Sequence, residues 1–468
     1  MPSDLWEERR GVLTSILDFK RPLKASDFNR FDIYAPRIKA LVDNCPEMRA
    51  APSGDLLRAL NLYRPSNLLL PNLQHIEYGY LLAGVGDIFW QLFLSTKLRC
   101  LNIASDSDET IGSALTHLQH ISPPLRTLSV QLQFRAQALS TFAALSEVLP
   151  CLTALKTFRL SNHRPLPMAF LAQLASLPCL ENLHLWPAYI DIFLFTPTSL
   201  ASRDRIIFRN LDRFTIRGSS ISACTDFVRY SRFPRATRAI LDICSRSEDD
   251  LDPLPYFEAL QDSYTSHTVV AEVSFDDDGF SEDWVAPAMI TLDSLRPLFA
   301  FCNLQILRVM TPCTLGLDDG ALKEIATSWP HLTKLCLMNS LQNPDSCSDI
   351  TLHGLAHLVR HCPKLQELEL LVDASQTDIR MDQRPCGAMF NGKLTFLSLG
   401  TSRPGDPTKV ALFLSLLFHK LKYILTEHEE GSPDFERWME AERCLPIFAA
   451  VRPEQLVATA QVPDESHT

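Results

Sequence analysis

A short apolar segment of the form Leu-x-x-Leu-x-Leu, complete or degenerate, recurs thirteen times along this chain at intervals of 25 to 35 residues. The clear copies are Leu73-Ile76-Tyr78, Leu98-Leu101-Ile103, Leu125-Leu128-Val130, Leu155-Phe158-Leu160, Leu180-Leu183-Leu185, Leu211-Phe214-Ile216, Leu304-Leu307-Val309, Leu332-Leu335-Leu337, Leu365-Leu368-Leu370 and Leu394-Leu397-Leu399. Six residues in extended conformation cannot bury their own apolar face. A segment that keeps returning must therefore stack against its neighbours and bury a continuous core that grows one unit at a time.

Between copies runs an amphipathic stretch, as in 136–149, 167–177, 292–301, 318–329 and 351–362, so one unit is one strand plus one helix. Proline often stands just before the strand leucine, at Pro124, Pro178, Pro330 and Pro363. Lacking an amide hydrogen, it stops the preceding helix. These signals predict an α/β fold, a leucine-rich-repeat solenoid or horseshoe with one parallel sheet on its concave face and helices on its convex face. Residues 71–425 carry the repeats, irregular at about 235–290, where leucines thin out before the acidic loop Asp276-Asp277-Asp278-Gly279. Apolar spacing in Leu5-Val12-Leu13-Ile16-Leu17, Ile38-Leu41-Val42 and Leu56-Leu57-Leu60 predicts a helical region over 1–70 that caps the stack. At the other end, 426–468 is expected to hold a capping helix and a frayed tail. Ser432-Pro433-Asp434 supplies a capping hydroxyl, a first-turn proline and an early acid, with Phe435, Trp438 and Met439 on one side.

The apolar fraction of 46% is ample for such a core. A formal charge of -11 opposes non-specific binding to nucleic acid, which needs a basic stripe. The longest apolar run, 411–418, is far short of the roughly 20 residues of a membrane span. Asp4, Glu7, Glu8, Arg9 and Arg10 interrupt any signal-peptide pattern. Thirteen cysteines without a Cys-x-x-Cys pair, and no Asn-x-Ser/Thr sequon, fit a reducing compartment, cytoplasmic or nuclear.

Strand alternation sends the fourth and sixth motif positions into the core and the third and fifth onto the concave face. Read this way, Arg159, His184, Arg213, Arg217, Arg308 and Lys334 form a cationic centre within an acidic protein, with Trp186 beside it. The expectation is a protein partner on the concave face, received through an acidic or phosphorylated segment, with Trp186 as an anchor. The alternative is a solvated face whose cations pair with neighbouring acids.

Other motifs are weaker. Residues 387–394 match the phosphate-loop spacing but put Leu394 where a hydroxyl must hold magnesium, and they lead into a strand, so a tight inter-repeat turn is expected. His353, His357 and His361 fall at helical spacing opposite Leu352, Leu355, Val359 and Cys362, which makes them a solvent face without a metal. Ser274 to Gly279 matches a calcium loop only at Asp276, Asp278 and Gly279. No Gly-x-Ser-x-Gly, His-Glu-x-x-His or Gly-x-Gly-x-x-Gly occurs. The reading is a binding protein with no catalytic site and no cofactor; the rival is an enzyme with an unrecognised site in 235–290.

The stretch 21–38, from Arg21-Pro22-Leu23 to Pro36-Arg37-Ile38, and the helix–strand cassettes 322–335 and 355–368 resemble the leucine-rich-repeat region of fungal F-box proteins. That resemblance implies the substrate-recognition arm of an F-box-type ubiquitin ligase, whose repeats hold the substrate while the F-box docks on a cullin adaptor. The F-box itself, usually opening with a Leu-Pro-x-Glu-like stretch, is not recognisable here, and Met1-Pro2-Ser3-Asp4-Leu5 begins roughly where it would have ended. A repeat scaffold or regulator unrelated to ubiquitin is the other binding-class reading.

Overall fold

A computed structural model of the chain describes residues 3–10, 15–42, 50–64, 68–78, 86–105, 107–132, 139–162, 166–187, 205–218, 220–243, 252–277, 289–339, 348–375, 386–387 and 389–450. Two compact units emerge, Met1–Ser219 with Asp226–Ala236, and Ser220–Thr225 with Thr237–Thr468. Each carries a ladder of repeat strands.

In the first unit the ladder comprises β1 (Ala40–Val42), β2 (His75–Tyr78), β3 (Cys100–Ser105), β4 (Thr127–Leu132), β5 (Thr157–Asn162), β6 (Asn182–Pro187) and β7 (Arg213–Gly218). They pair in parallel, in chain order and without a register slip. Ile76, Leu101, Leu128, Phe158, Leu183 and Phe214 form the inward row, each at most 1% exposed. A slip of one residue would turn such a row out to solvent, which is why the register holds. The backbone repeats the same device at each step. The Arg99 carbonyl accepts from both Arg126 N and Thr127 N, and the Arg126 carbonyl from Lys156 N and Thr157 N. Helices follow the strands, as at Asp108–Ile121, where the Ser107 hydroxyl accepts from Thr110 N and Ile111, Ala114, Leu115 and Leu118 are buried.

The N-terminal region departs from the helical expectation. Trp6–Arg10 pairs antiparallel with Ser15–Phe19, and Ala50–Pro52 lies alongside. A helix over 5–17 would have carried Gly11 at its middle, at about 1 kcal/mol relative to alanine. The segment Ile38-Leu41-Val42 likewise supplies β1 rather than a helix. Among the described residues of this part, Phe28–Tyr34 and Gly54–Tyr63 are α-helical, the latter burying Leu56, Leu57 and Leu60 as their spacing predicts.

In the second unit the ladder is β8 (Arg238–Ile243), β9 (Glu272–Asp277), β10 (Ile306–Thr311), β11 (Lys334–Asn339), β12 (Glu367–Leu370), β13 (Phe396–Ser398) and β14 (Tyr423–Leu425), again parallel and in register. The stretch expected to be irregular therefore supplies two regular strands. Ala239, Leu241, Ile243, Val273 and Phe275 are fully buried, so β8 and β9 keep the period of two while mostly replacing leucine. Asp276 and Asp277 close β9, and the rest of the acidic loop lies outside the described residues. The helix Pro433–Ala450 begins where expected, with Phe435 N donating to the Ser432 hydroxyl at 3.2 Å. Its buried side is Trp438, Ala441 and Leu445, while Phe435 and Met439 are half-buried. The tail from 451 lies outside the described residues. Among the described residues no helix is long and apolar enough to cross a membrane.

Candidate partner-binding faces

On the outward face of the first unit two rows run across the strands. One is His75, Cys100, Thr127, Thr157, Asn182 and Arg213; the next is Glu77, Asn102, Ser129, Arg159, His184 and Thr215. Arg159 is exposed and makes no ion pair with another described residue. His184, its direct neighbour on β6, is half-buried, and burial followed by the charge of Arg159 lowers its pKa to about 4. The imidazole is therefore neutral at pH 7. Sequence position made His184 part of a cationic centre; burial makes it a polar ring packed edge-to-face on Trp186, with centroids 6.0 Å apart. Trp186 is half-buried on the same strand, Arg213 is half-buried and Arg217 is exposed. Three arginines, one neutral histidine and one tryptophan are thus brought onto one strand face.

Arg308 and Lys334 fall in the second unit, and there they are not open cations. Arg308 Nε donates to Asp276 Oδ1 at 2.6 Å, and its Nη1 lies 3.8 Å from Glu369. Lys334 Nζ lies 2.8 Å from Glu367 and 2.9 Å from Glu369. Between them the Cys336 thiol donates to Glu369 at 3.4 Å and accepts weakly from Arg308 Nη1, whose Nη2 also reaches Met310 Sδ. Burial pushes the Glu369 carboxyl up, but hydrogen bonding to Lys334 and the charges of Lys334 and Arg308 carry it below its usual range. The same surroundings push the Cys336 thiol far up, through burial first and Glu369 second, so it is no nucleophile. A paired network thus stands where two open cations were expected, because Lys334 and Glu367 occupy the same motif position on adjacent strands.

Beside that network lies a patch the sequence reading missed. Phe396 and Tyr423 are directly opposite each other, with Leu425 two residues on. Tyr423 is 60% and Leu425 50% exposed. Glu427 follows, its carboxyl raised by burial and by the charge of Glu369. Only the position of Tyr423 and Leu425 on the last strand of the ladder reveals them, since their strand carries a degenerate motif.

The remaining motifs resolve into packing. In the phosphate-loop-like segment, Asn391 is 2% exposed. Its Oδ1 accepts from Lys393 N at 2.7 Å and Leu394 N at 2.9 Å, and its Nδ2 donates to the Leu365 carbonyl at 3.0 Å. That is an inter-repeat turn closed by one side chain. The three histidines lie on the outer side as expected, His353 exposed and His357 and His361 half-buried, opposite the buried Leu352, Leu355, Val359 and Cys362. His353 precedes the helix Leu355–His361 and packs its ring edge-to-face with Phe413, whereas His357 is half-buried with its Nδ1 unpaired among the described residues. No group of three or more metal-ligating side chains occurs among the described residues.

No family model matches the chain, and no curated protein matches it. Among solved structures, the crystal structure of the Rad7 and Elc1 complex in yeast is similar over 81% of this chain and 86% of that chain, at 17% identity and a TM-score of 0.39. That likeness is too distant to bear on function.

Proposed function

We propose that this chain is a protein-binding leucine-rich-repeat protein of the cytoplasm or nucleus, without catalysis of its own. Its role is substrate recognition in an F-box-type ubiquitin ligase, as its sequence resemblance implies. The strand face of the first unit receives an acidic or phosphorylated segment of the substrate, and a cullin adaptor is the second partner. One observation carries the reading: Arg159 is exposed without an ion-pair partner among the described residues, beside the packed pair His184 and Trp186. An arginine in that state can form two parallel bonds to a carboxylate or phosphate without first breaking an internal pair. Arg213 and Arg217 extend the positive face, and Trp186 offers an aromatic surface for the flanking residues of the partner.

Affinity capture of the tagged chain from its native cells, with mass spectrometry, tests both partners at once. The expected result is recovery of a cullin adaptor together with a substrate that is lost after phosphatase treatment and lost with Arg159→Glu. Undiminished capture by the Arg159→Glu variant would remove the face from the proposal. Recovery of the substrate without any adaptor would favour the scaffold reading.

A further inference from the structure

We propose a second recognition surface, confined to the second unit, that binds a basic segment bearing an aromatic or aliphatic anchor. Three observations converge on it. Phe396, Tyr423 and Leu425 form an apolar strip on the outward face of β13 and β14, with Tyr423 and Leu425 at least half exposed. The free edge of β14 is not open to strand addition, because Ile424 N is already taken by the Glu442 carboxylate at 2.7 Å from the closing helix. A partner must therefore read the side chains rather than extend the sheet. The neighbouring acids are not served alike. Among the described ion pairs Glu367 and Glu369 are held by Lys334 and Arg308, whereas Glu427 pairs with neither.

Glu427 is the group that decides the sign of the partner. It is exposed on the outward face two residues beyond Leu425 and makes no ion pair with a described residue, so its carboxylate is open to a cation from outside; partial burial of the carboxyl, and then the charge of Glu369, raise its pKa. A lysine or arginine placed there would relieve the repulsion between Glu427 and Glu369 while its neighbour packs on Tyr423 and Leu425. Lys422 stands at the other end of the three-residue strand β14 from Glu427, which orients the basic part of the ligand toward Glu427. This surface is independent of Arg159 and of the acidic partner proposed for the first unit.

The test uses a random dodecapeptide phage library panned on the full-length chain, followed by fluorescence polarisation of the enriched peptides. Expected is enrichment of lysine or arginine next to Phe, Tyr, Trp or Leu. Binding of those peptides should fall about tenfold or more for Tyr423→Ser and for Glu427→Lys, as for loss of a central contact. It should be unchanged for Arg159→Glu, so failure here is distinguishable from failure of the proposed function. Both variants are solvent-facing, and an unchanged thermal melt confirms that they fold. Absence of enrichment, enrichment of acidic peptides, self-association of the chain that Tyr423→Ser abolishes, or binding to either variant as tight as to the unaltered chain would each overturn the proposal.

Discussion

Asn391→Ala is the sharpest probe of how the repeats are closed, because a single buried amide holds the turn that the sequence disguises as a nucleotide loop. The side chain is 2% exposed and makes three hydrogen bonds, two as acceptor within the turn and one as donor to Leu365 of the preceding repeat. Removal strands Leu394 N and the Leu365 carbonyl in the core, while Lys393 N, nearer the surface, can turn to water. At about 1–3 kcal/mol for each buried group left without a partner, the loss is about 2–6 kcal/mol. Asn303 provides the control. It holds one such bond, from Nδ2 to the Thr268 carbonyl at 2.9 Å, but is exposed, so water replaces it and Asn303→Ala costs under about 0.5 kcal/mol. Asn391→Asp separates the roles, since it keeps both accepted bonds yet turns an oxygen toward Leu365; it should be no more stable than the alanine variant. Urea unfolding followed by tryptophan fluorescence reports the difference, with Trp329 and Trp438 both buried in the same unit. Equal midpoints for Asn391→Ala and Asn303→Ala would refute the argument that burial, and not the bond count alone, sets the cost.

Two further outcomes follow from the titrating groups. The His184 imidazole, lowered from 6.5 to about 4 by burial and Arg159, stays neutral through pH 5 in a histidine-resolved NMR titration. Because the unfolded chain takes that proton first, the contribution of His184 to stability is complete above pH 6.5 and declines as the pH falls toward 4. A His184 that titrates near 6 contradicts the burial argument. In the second unit, Lys334→Met leaves Glu369 with Arg308 at 3.8 Å as its ion-pair partner and the weak Cys336 thiol bond, and should destabilise the chain by about 1–2 kcal/mol at pH 7, allowing for partial exposure. The lowered pKa of Glu369 means that its pairing stabilises above the usual carboxylate range and is lost as the pH falls through it, so the penalty should shrink at pH 4. Unfolding midpoints at the two pH values check this, and a penalty that grows in acid would refute it.

What the sequence displayed and what it hid divide along a physical line. Leucine spacing predicts most of the ladder because inward positions answer to packing alone: Leu101, Leu128, Leu335 and Leu368 hold the same motif position, and Ile76, Phe158 and Phe214 fill it with other large apolar side chains. The spacing weakened at Ala239 and Val273, where smaller residues fill the same row; Ala239-Ile240-Ile243 and Val269-Val270-Val273-Phe275 read only as weak strands, yet both join the ladder in full register. Leu5-Val12-Leu13-Ile16-Leu17 suited a helix as well as a hairpin, and only pairing decides between them. On the outward face, residue type was legible but charge state was not. Lys334 opposite Glu367 was within reach, since both hold the same motif position; Asp276 against Arg308 was not, because the strand bearing Asp276 lacks the leucines that would have set its register. The neutrality of His184 depends on burial, which no spacing records.

The difference between the two sets of cations bears on where binding energy can come from. A ligand carboxylate or phosphate approaching Arg308 or Lys334 competes with Asp276, Glu367 and Glu369 at 2.6 to 2.9 Å, so each new bond replaces an existing one. At Arg159 it replaces only water, and the gain of a charged hydrogen bond, about 1.5–3 kcal/mol, is kept nearly whole. The paired network therefore contributes mainly to the order of its own unit, and Arg159 is the position at which charge reversal should be felt first.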